Sequence, residues 1–130
     1  LVAITQDFSA MLDSITVCLF LSIAHTVTPS LYVPVLNAAT GWDMTPDEFM
    51  LAGERITNLK RMFCVRRGIS GKDDTLPSRI LTQRLNSGGT RGNVFDLPAM
   101  LDEYYAVRGW DKEGIPAREK LFELGLEECL

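Results

Sequence analysis

Apolar residues recur along this chain at helical rather than alternating spacing, and the breaks between them divide it into a series of helices. From Thr5 to Ala24 the pattern is apolar on nearly every side. That predicts one or two buried helices rather than a surface helix with one wet face. Pro29 and Pro34 then fall close together. Proline lacks an N–H and disfavours helix in the residue before it, so regular helix is expected to be interrupted over 28–34. Val35 to Thr40 reads as a short helix stopped by Gly41.

The clearest element starts at Thr45. Thr45-Pro46-Asp47-Glu48 is a capping box, with Thr45 as N-cap, Pro46 at the first helical position and Glu48 reaching back. Phe49, Ala52, Gly53, Ile56, Leu59 and Phe63 follow at helical spacing. Lys60, Arg61, Arg66 and Arg67 load the final turns with positive charge that complements the helix dipole, and Gly68 supplies the stop. Residues 69–95 are rich in Gly, Ser, Thr and Asp, which predicts a flexible connection with one helical turn around Ser78 to Leu85. A further helix is expected from the N-cap Asp96 through Leu97, Met100, Leu101, Tyr104 and Arg108 to Gly109. Trp110 to Pro116 reads as a loop, and Ala117 to Leu124 as a short closing helix stopped by Gly125. No period-2 strand, internal repeat or low-complexity tract interrupts this order. The expected class is all-α, a multihelical domain built as an irregular helical bundle.

Composition narrows the picture. With 130 residues, 46% of them hydrophobic, the chain has the size and content of one domain with a single core. A net charge of −4 offers no footprint for nucleic acid or for an anionic membrane. The charge is uneven. Residues 1–44 carry no Lys or Arg and only the acids Asp7, Asp13 and Asp43. A segment like that forms the core of its own domain or packs against protein outside the chain, and in isolation it is expected to self-associate. Ile15 to Ala24, the longest apolar stretch, falls short of the roughly 20 residues of a membrane span. No basic residue precedes it, as a secretory signal would require. The chain starts at Leu1 without an initiator Met, which suggests a fragment. Cys18, Cys64 and Cys129 are too few and too far apart for a disulfide framework or a paired-cysteine metal clip. They fit a reducing, cytoplasmic setting, and they cannot by themselves supply the four thiolates that an iron–sulfur cluster commonly needs.

The candidate chemistry lies in Asp13-Ser14-Ile15-Thr16-Val17-Cys18, an acid and a thiol inside the cation-free segment. On one ideal helix these two side chains would stand roughly 140° apart and share no face. A more economical geometry puts Asp13 at the start of a helix and Cys18 one turn inside it, with free N–H groups turned to an anionic ligand. The plain alternative makes Asp13 an ordinary N-cap and Cys18 a small core hydrophobe. Other residues weigh less. His25, the only histidine, is expected to be a hydrogen-bonded structural residue rather than a proton carrier. Arg66-Arg67 is expected to complement the helix end rather than to dock an acidic partner. Asp73-Asp74 reads as a solvated pair, and Tyr104-Tyr105 with Trp110 as packing residues.

Asp13 to Cys18 resembles the D-x-x-G-L-C motif of the tungsten-dependent aldehyde ferredoxin oxidoreductases, with Thr16-Val17 where that pattern carries Gly-Leu. Gly53-Glu54-Arg55-Ile56, Asn58-Leu59 and the run from Asp73 to Arg79 resemble the same family's carboxy-terminal region. So do Met100 to Tyr105, Arg108 to Asp111, Gly114-Ile115-Pro116 and Leu124-Gly125-Leu126, in order over nearly the whole chain.

The resemblance implies that 1–130 is the carboxy-terminal helical domain of a larger enzyme, not catalytic and without cofactor when alone. In such enzymes a tungsten bis-pterin cofactor and a [4Fe–4S] cluster lie between the domains. Cys18 would be the fourth cluster thiolate, and Asp13 would accept hydrogen bonds from one pterin. The partners implied are the upstream domains of the same polypeptide and ferredoxin. The implied reaction oxidises an aldehyde to a carboxylic acid. Two alternatives stand beside it: a related tungsten enzyme acting on another substrate, and a helical interaction module that has lost the cofactor. Absence of the glycine at Thr16 bears on how closely backbone can approach the pterin.

Overall fold

Residues 1–18, 20, 28–89 and 91–130 are described by this computed structural model, and they form six α-helices with no sheet. The helices are α1 (Val2–Ser14), α2 (Pro29–Thr40), α3 (Pro46–Arg66), α4 (Ser78–Thr82), α5 (Leu97–Arg108) and α6 (Arg118–Glu123). Single 3₁₀ turns stand at Gly71–Asp73 and Glu127–Cys129. The all-α class is the one the hydrophobic spacing indicates. His25 and its neighbours in 21–27 lie outside the described residues. No helix among the described residues is long and apolar enough to cross a membrane.

Helix α3 is the spine, and its start follows the capping box. The Glu48 N–H donates to Thr45 Oγ1 at 3.2 Å and the Thr45 N–H donates back to Glu48 Oε2 at 2.8 Å. The Thr45 N–H bond foremost, and then the Thr45 hydroxyl donating to the same Oε2 at 2.9 Å, hold the Glu48 carboxyl below its ordinary value. Helix α1 lies along α3 and comes nearest at Gly53, where a Cβ would run into the backbone carbonyl of Asp7. Glycine is therefore required here for a close approach between two backbones. Around this crossing Met11, Val33 and Phe49 form the buried core, with Phe8, Ile15, Leu36 and Ile56 packed against it.

Two elements depart from the sequence reading. Helix α2 does not begin after Pro34 but at Pro29, the first helical position, and runs straight through Pro34 to the left-handed Gly41. An interior proline forfeits one backbone bond and strains the turn before it, at a cost of about 3 kcal/mol. Burial of Val33 in the core and the ring contact of Tyr32 with Phe8, 6.0 Å between centroids, offset that cost. On α3 the core-facing stripe is rotated from the one expected. Leu59 and Phe63 are 49% and 61% exposed, while Asn58 and Met62 take the inward positions. Asn58 is fully buried and satisfied: its Nδ2 donates to Glu54 O at 2.9 Å and its Oδ1 accepts from Trp110 Nε1 at 2.8 Å. A polar residue in the core breaks the apolar periodicity that sequence reading depends on.

Candidate functional site

The end of α1 carries the candidate site. The helix closes with a Schellman motif, in which the Thr16 N–H donates to Asp13 O at 3.2 Å and the Val17 N–H to Leu12 O at 3.0 Å. That geometry needs a left-handed residue beyond the cap, and Thr16 supplies it at φ 56°, the one non-glycine with positive φ among the described residues. A β-branched side chain in this region is strained by roughly 1–2 kcal/mol. Asp13 is exposed on the last turn of α1, and Cys18 is exposed in the irregular chain beyond it. Ile15 and Val17 between them are half-buried.

This placement corrects the expected geometry. Asp13 ends a helix rather than starting one, because the apolar run that packs on α3 begins at Ala3, well before the acid. At Asp13 the site borders the C-terminus of α1, which offers carbonyl acceptors and the negative end of the dipole. Cys18 is no core hydrophobe either. What the loop presents is a carboxylate, a hydroxyl and a thiol. Such a set fits a heterocycle rich in N–H groups together with a thiophilic metal. Among the described residues no three His, Cys, Asp or Glu side chains converge on one point.

Behind the site α1 is locked to α5 through a buried ion pair. Arg108 is 1% exposed, and its Nη1 donates to both Asp7 oxygens at 2.7 and 2.9 Å. Nη2 donates to Ala3 O and Gln6 Oε1 at 3.0 and 2.9 Å, and Nε to the Tyr104 hydroxyl at 3.1 Å. Thr57 Oγ1 donates to Asp7 Oδ1 at 2.9 Å, which brings α3 into the same network. Beside it, a shallow groove of about 530 Å³ is bordered by Thr5, Ser9 and Asp13 of α1 and by Thr57 and Lys60 of α3.

A second network ties the loops to α3. Arg61 grips Asp74 with both terminal nitrogens at 2.8 and 2.7 Å, donates from Nε to Gly114 O at 2.7 Å, and lies over the Trp110 ring. Tyr105 donates its hydroxyl to Asp74 Oδ2 at 2.5 Å. Burial alone would raise the Asp74 pKa, but the hydrogen bonds from Arg61 and Tyr105 and the guanidinium charge hold it below its ordinary value. Tyr105 is pushed up to about 12, first by burial and then by the Asp74 carboxylate it faces. Asp73 and Asp74 are thus not a solvated pair: Asp73 Oδ2 accepts the Ser70 N–H at 2.9 Å, and Asp74 is the counter-ion of Arg61. Arg61 in turn answers this carboxylate rather than the helix dipole. Neither network was legible in the sequence. The only trace of the first was an acid, Asp7, in a segment with no cation to pair it.

The fold is an all-α domain that leaves a carboxylate and a thiol exposed at the end of α1. Comparison with known proteins gives the class a family. The model described as aldehyde ferredoxin oxidoreductase, domains 2 & 3, matches residues 1–126. A tungsten-containing aldehyde ferredoxin oxidoreductase of Pyrococcus horikoshii is 40% identical over 100% of the chain. One of Thermococcus kodakarensis is 40% identical over 96% of it. A Pyrococcus furiosus protein described as an aliphatic sulfonate oxidoreductase, WOR-like subunit, is 35% identical over 72% of the chain. Among solved structures, the active site complex BamBC of benzoyl coenzyme A reductase with 1,5-dienoyl-CoA aligns at a TM-score of 0.57 and 30% identity, over 72% of this chain and 13% of that one. The chain spans about a fifth of the length of the tungsten-containing relatives, 21% and 20%. It belongs to the aldehyde ferredoxin oxidoreductase family, a family of oxidoreductases.

Proposed function

We propose that this chain is the carboxy-terminal helical domain of a tungsten oxidoreductase that oxidises aldehydes to carboxylic acids, with ferredoxin as the electron acceptor. Its working surface is the end of α1. The observation that carries the reading is the joint exposure of Asp13 and Cys18 there, in a chain of this family.

Cys18 would be one thiolate of a [4Fe–4S] cluster whose other ligands come from upstream domains of the same polypeptide. Asp13 would accept hydrogen bonds from pterin N–H groups, and the carbonyls at the helix end offer acceptors beside it. The chemistry supplied by the bound groups is a two-electron oxidation of the aldehyde, with oxygen from water and electrons relayed singly through the cluster. This chain's own contribution is to hold and orient: the Schellman turn sets the thiol outward, and Ile15, packed on the core, fixes the loop. Alone, the chain would be inactive and would self-associate through apolar residues such as Val2, Ile4 and Leu31, which are exposed. A cytoplasmic setting agrees with three free thiols.

The test is made in the complete enzyme. Cys18→Ala should abolish the intact four-iron signal in electron paramagnetic resonance, and an unchanged spectrum refutes the ligand role. Asp13→Ala should lower tungsten content while sparing the cluster; equal loss of both argues against separate roles.

A second reading keeps the family and changes the substrate. It is favoured by the names of two relatives, one acting on aliphatic sulfonates and one a benzoyl coenzyme A reductase. Turnover assays of the complete enzyme with an aldehyde, a sulfonate and an aromatic thioester separate these. A cofactor-free interaction module, which Thr16-Val17 would favour, predicts neither iron nor tungsten in protein produced anaerobically with both metals supplied.

A further inference from the structure

Helix α1 opens without the signals that start the other long helices. α2 opens on Pro29 at the first helical position, α3 on the Thr45 capping box and α5 on the Asp96 side chain. α1 opens on Leu1, which offers no side-chain acceptor, and its first turn holds no acid. The first N–H groups of a helix have no partner within it, and leucine is among the poorest residues at the cap. The same turn is apolar and open: Leu1, Val2 and Ile4 are 99%, 58% and 62% exposed. Those are the marks of a helix interior rather than of a helix start.

The ground ahead of this turn is a groove. α1 and α3 run antiparallel, with Asp7 against Gly53 and Met11 in one cluster with Phe49. From that crossing α3 runs on to Arg66, while α1 reaches back only to Val2. At 1.5 Å per residue, α3 overhangs α1 by roughly 12 Å. Between the overhang and α5 lies a cavity of about 640 Å³, bordered by Leu1 and Val2 and lined by Cys64, Leu76, Met100 and Leu101. Met100 and Leu76 are left 46% and 36% exposed. The chain spans 21% of the length of a tungsten-containing relative, so on the reading above most of the polypeptide precedes Leu1.

We propose that α1 continues upstream of Leu1 for about two helical turns, and that this extension lies in the groove between α3 and α5, over Cys64, Leu76 and Met100. The occupant is the polypeptide's own preceding segment, an amphipathic stretch with its apolar side toward the groove. Its carbonyls take up the N–H groups that the first turn of α1 leaves over. The peptide bond into Leu1 holds it at the groove, so docking needs no encounter between separate molecules. The inference rests on the reading of this chain as the carboxy-terminal part of a longer polypeptide, and not on the roles of Cys18 and Asp13.

The experiment uses the complete polypeptide, with p-benzoylphenylalanine in place of Met100 and, in a second variant, of Leu76. Irradiation followed by mass spectrometry of the digest identifies what each position touches. The expected product joins the probe to the stretch of about eight residues directly before Leu1. A cross-link to any other stretch of the polypeptide, to a second copy, or to nothing in both variants overturns the inference. Met100→Lys gives a readout independent of the probe: beneath a covering helix it buries a charge and lowers the urea midpoint of the complete polypeptide. A midpoint equal to the parent's leaves the groove open to water and overturns the inference as well. The two readings fail separately. If Cys18→Ala loses its four-iron signal while no cross-link reaches the preceding segment, only the groove assignment fails; if the cross-link forms while the signal persists, only the ligand role does.

Discussion

Gly53 concentrates in one residue the demand that two helices place on each other. Its missing Cβ leaves room for the Asp7 carbonyl, and backbone on both sides leaves no flexible atom to yield. Gly53→Ala normally favours a helix by up to about 1 kcal/mol. Here the added methyl must push α1 and α3 apart, an overpacking cost typically of about 1–3 kcal/mol. The expected outcome is net destabilisation, read as a lower midpoint in urea; a midpoint equal to or above the parent's would show that the crossing is looser than this. The sequence displays Gly53 only as one small residue in an apolar stripe. Thr16 is similar: its type is plain in the chain, but its left-handed backbone is not, since β-branched residues almost never adopt it. Asn58 went unseen in the core because its role depends on Trp110, a partner beyond the reach of local pattern.

At the scale of elements, the capped helix α3 was legible almost residue by residue, because capping is a local contract between Thr45 and Glu48. Helix α2 was not, because packing of Val33 overrides the local veto of Pro34. The joint between α1 and α5 depends on Asp7 and Arg108, and its energetics are asymmetric. A buried pair adds little over well-packed apolar residues, but deleting one partner strands the other charge, at a cost of about 3–5 kcal/mol. Arg108→Met should therefore destabilise the chain severely, and Asp7→Asn combined with Arg108→Met should recover part of the loss. Denaturant titration of the single and double variants measures this. Additive losses would mean that the two residues act independently.

For the whole molecule, the Arg61–Asp74–Tyr105 network links stability to pH. Tyr105 is raised from 10.0 to about 12, so between those values the folded chain keeps a proton that the unfolded chain releases. Its contribution is complete below pH 10 and is lost as pH climbs toward 12. Asp74 is held below its ordinary 3.8, so its contribution is complete above that value and falls away as acid protonates it. Thermal midpoints measured across pH should decline steeply from 10 to 12, and Tyr105→Phe should flatten that alkaline limb. An unchanged limb in the Phe variant would remove Tyr105 from the network.

Taken alone, the sequence determined the all-α class, the start and stop of α3 and α5, and the acid–thiol segment at which the family resemblance is keyed. Each of these rests on residues a few positions apart, whose spacing carries its own physics: caps, glycine stops and apolar periodicity. Only the tertiary structure decided that Asp13 closes a helix, that Thr16 turns left-handed beyond it, and that Arg61 and Arg108 serve as counter-ions within the fold. The ion pairs depend on partners distant in the chain, 101 residues apart for Arg108 and Asp7. Burial, which makes an unpaired charge intolerable, exists only once the helices have packed.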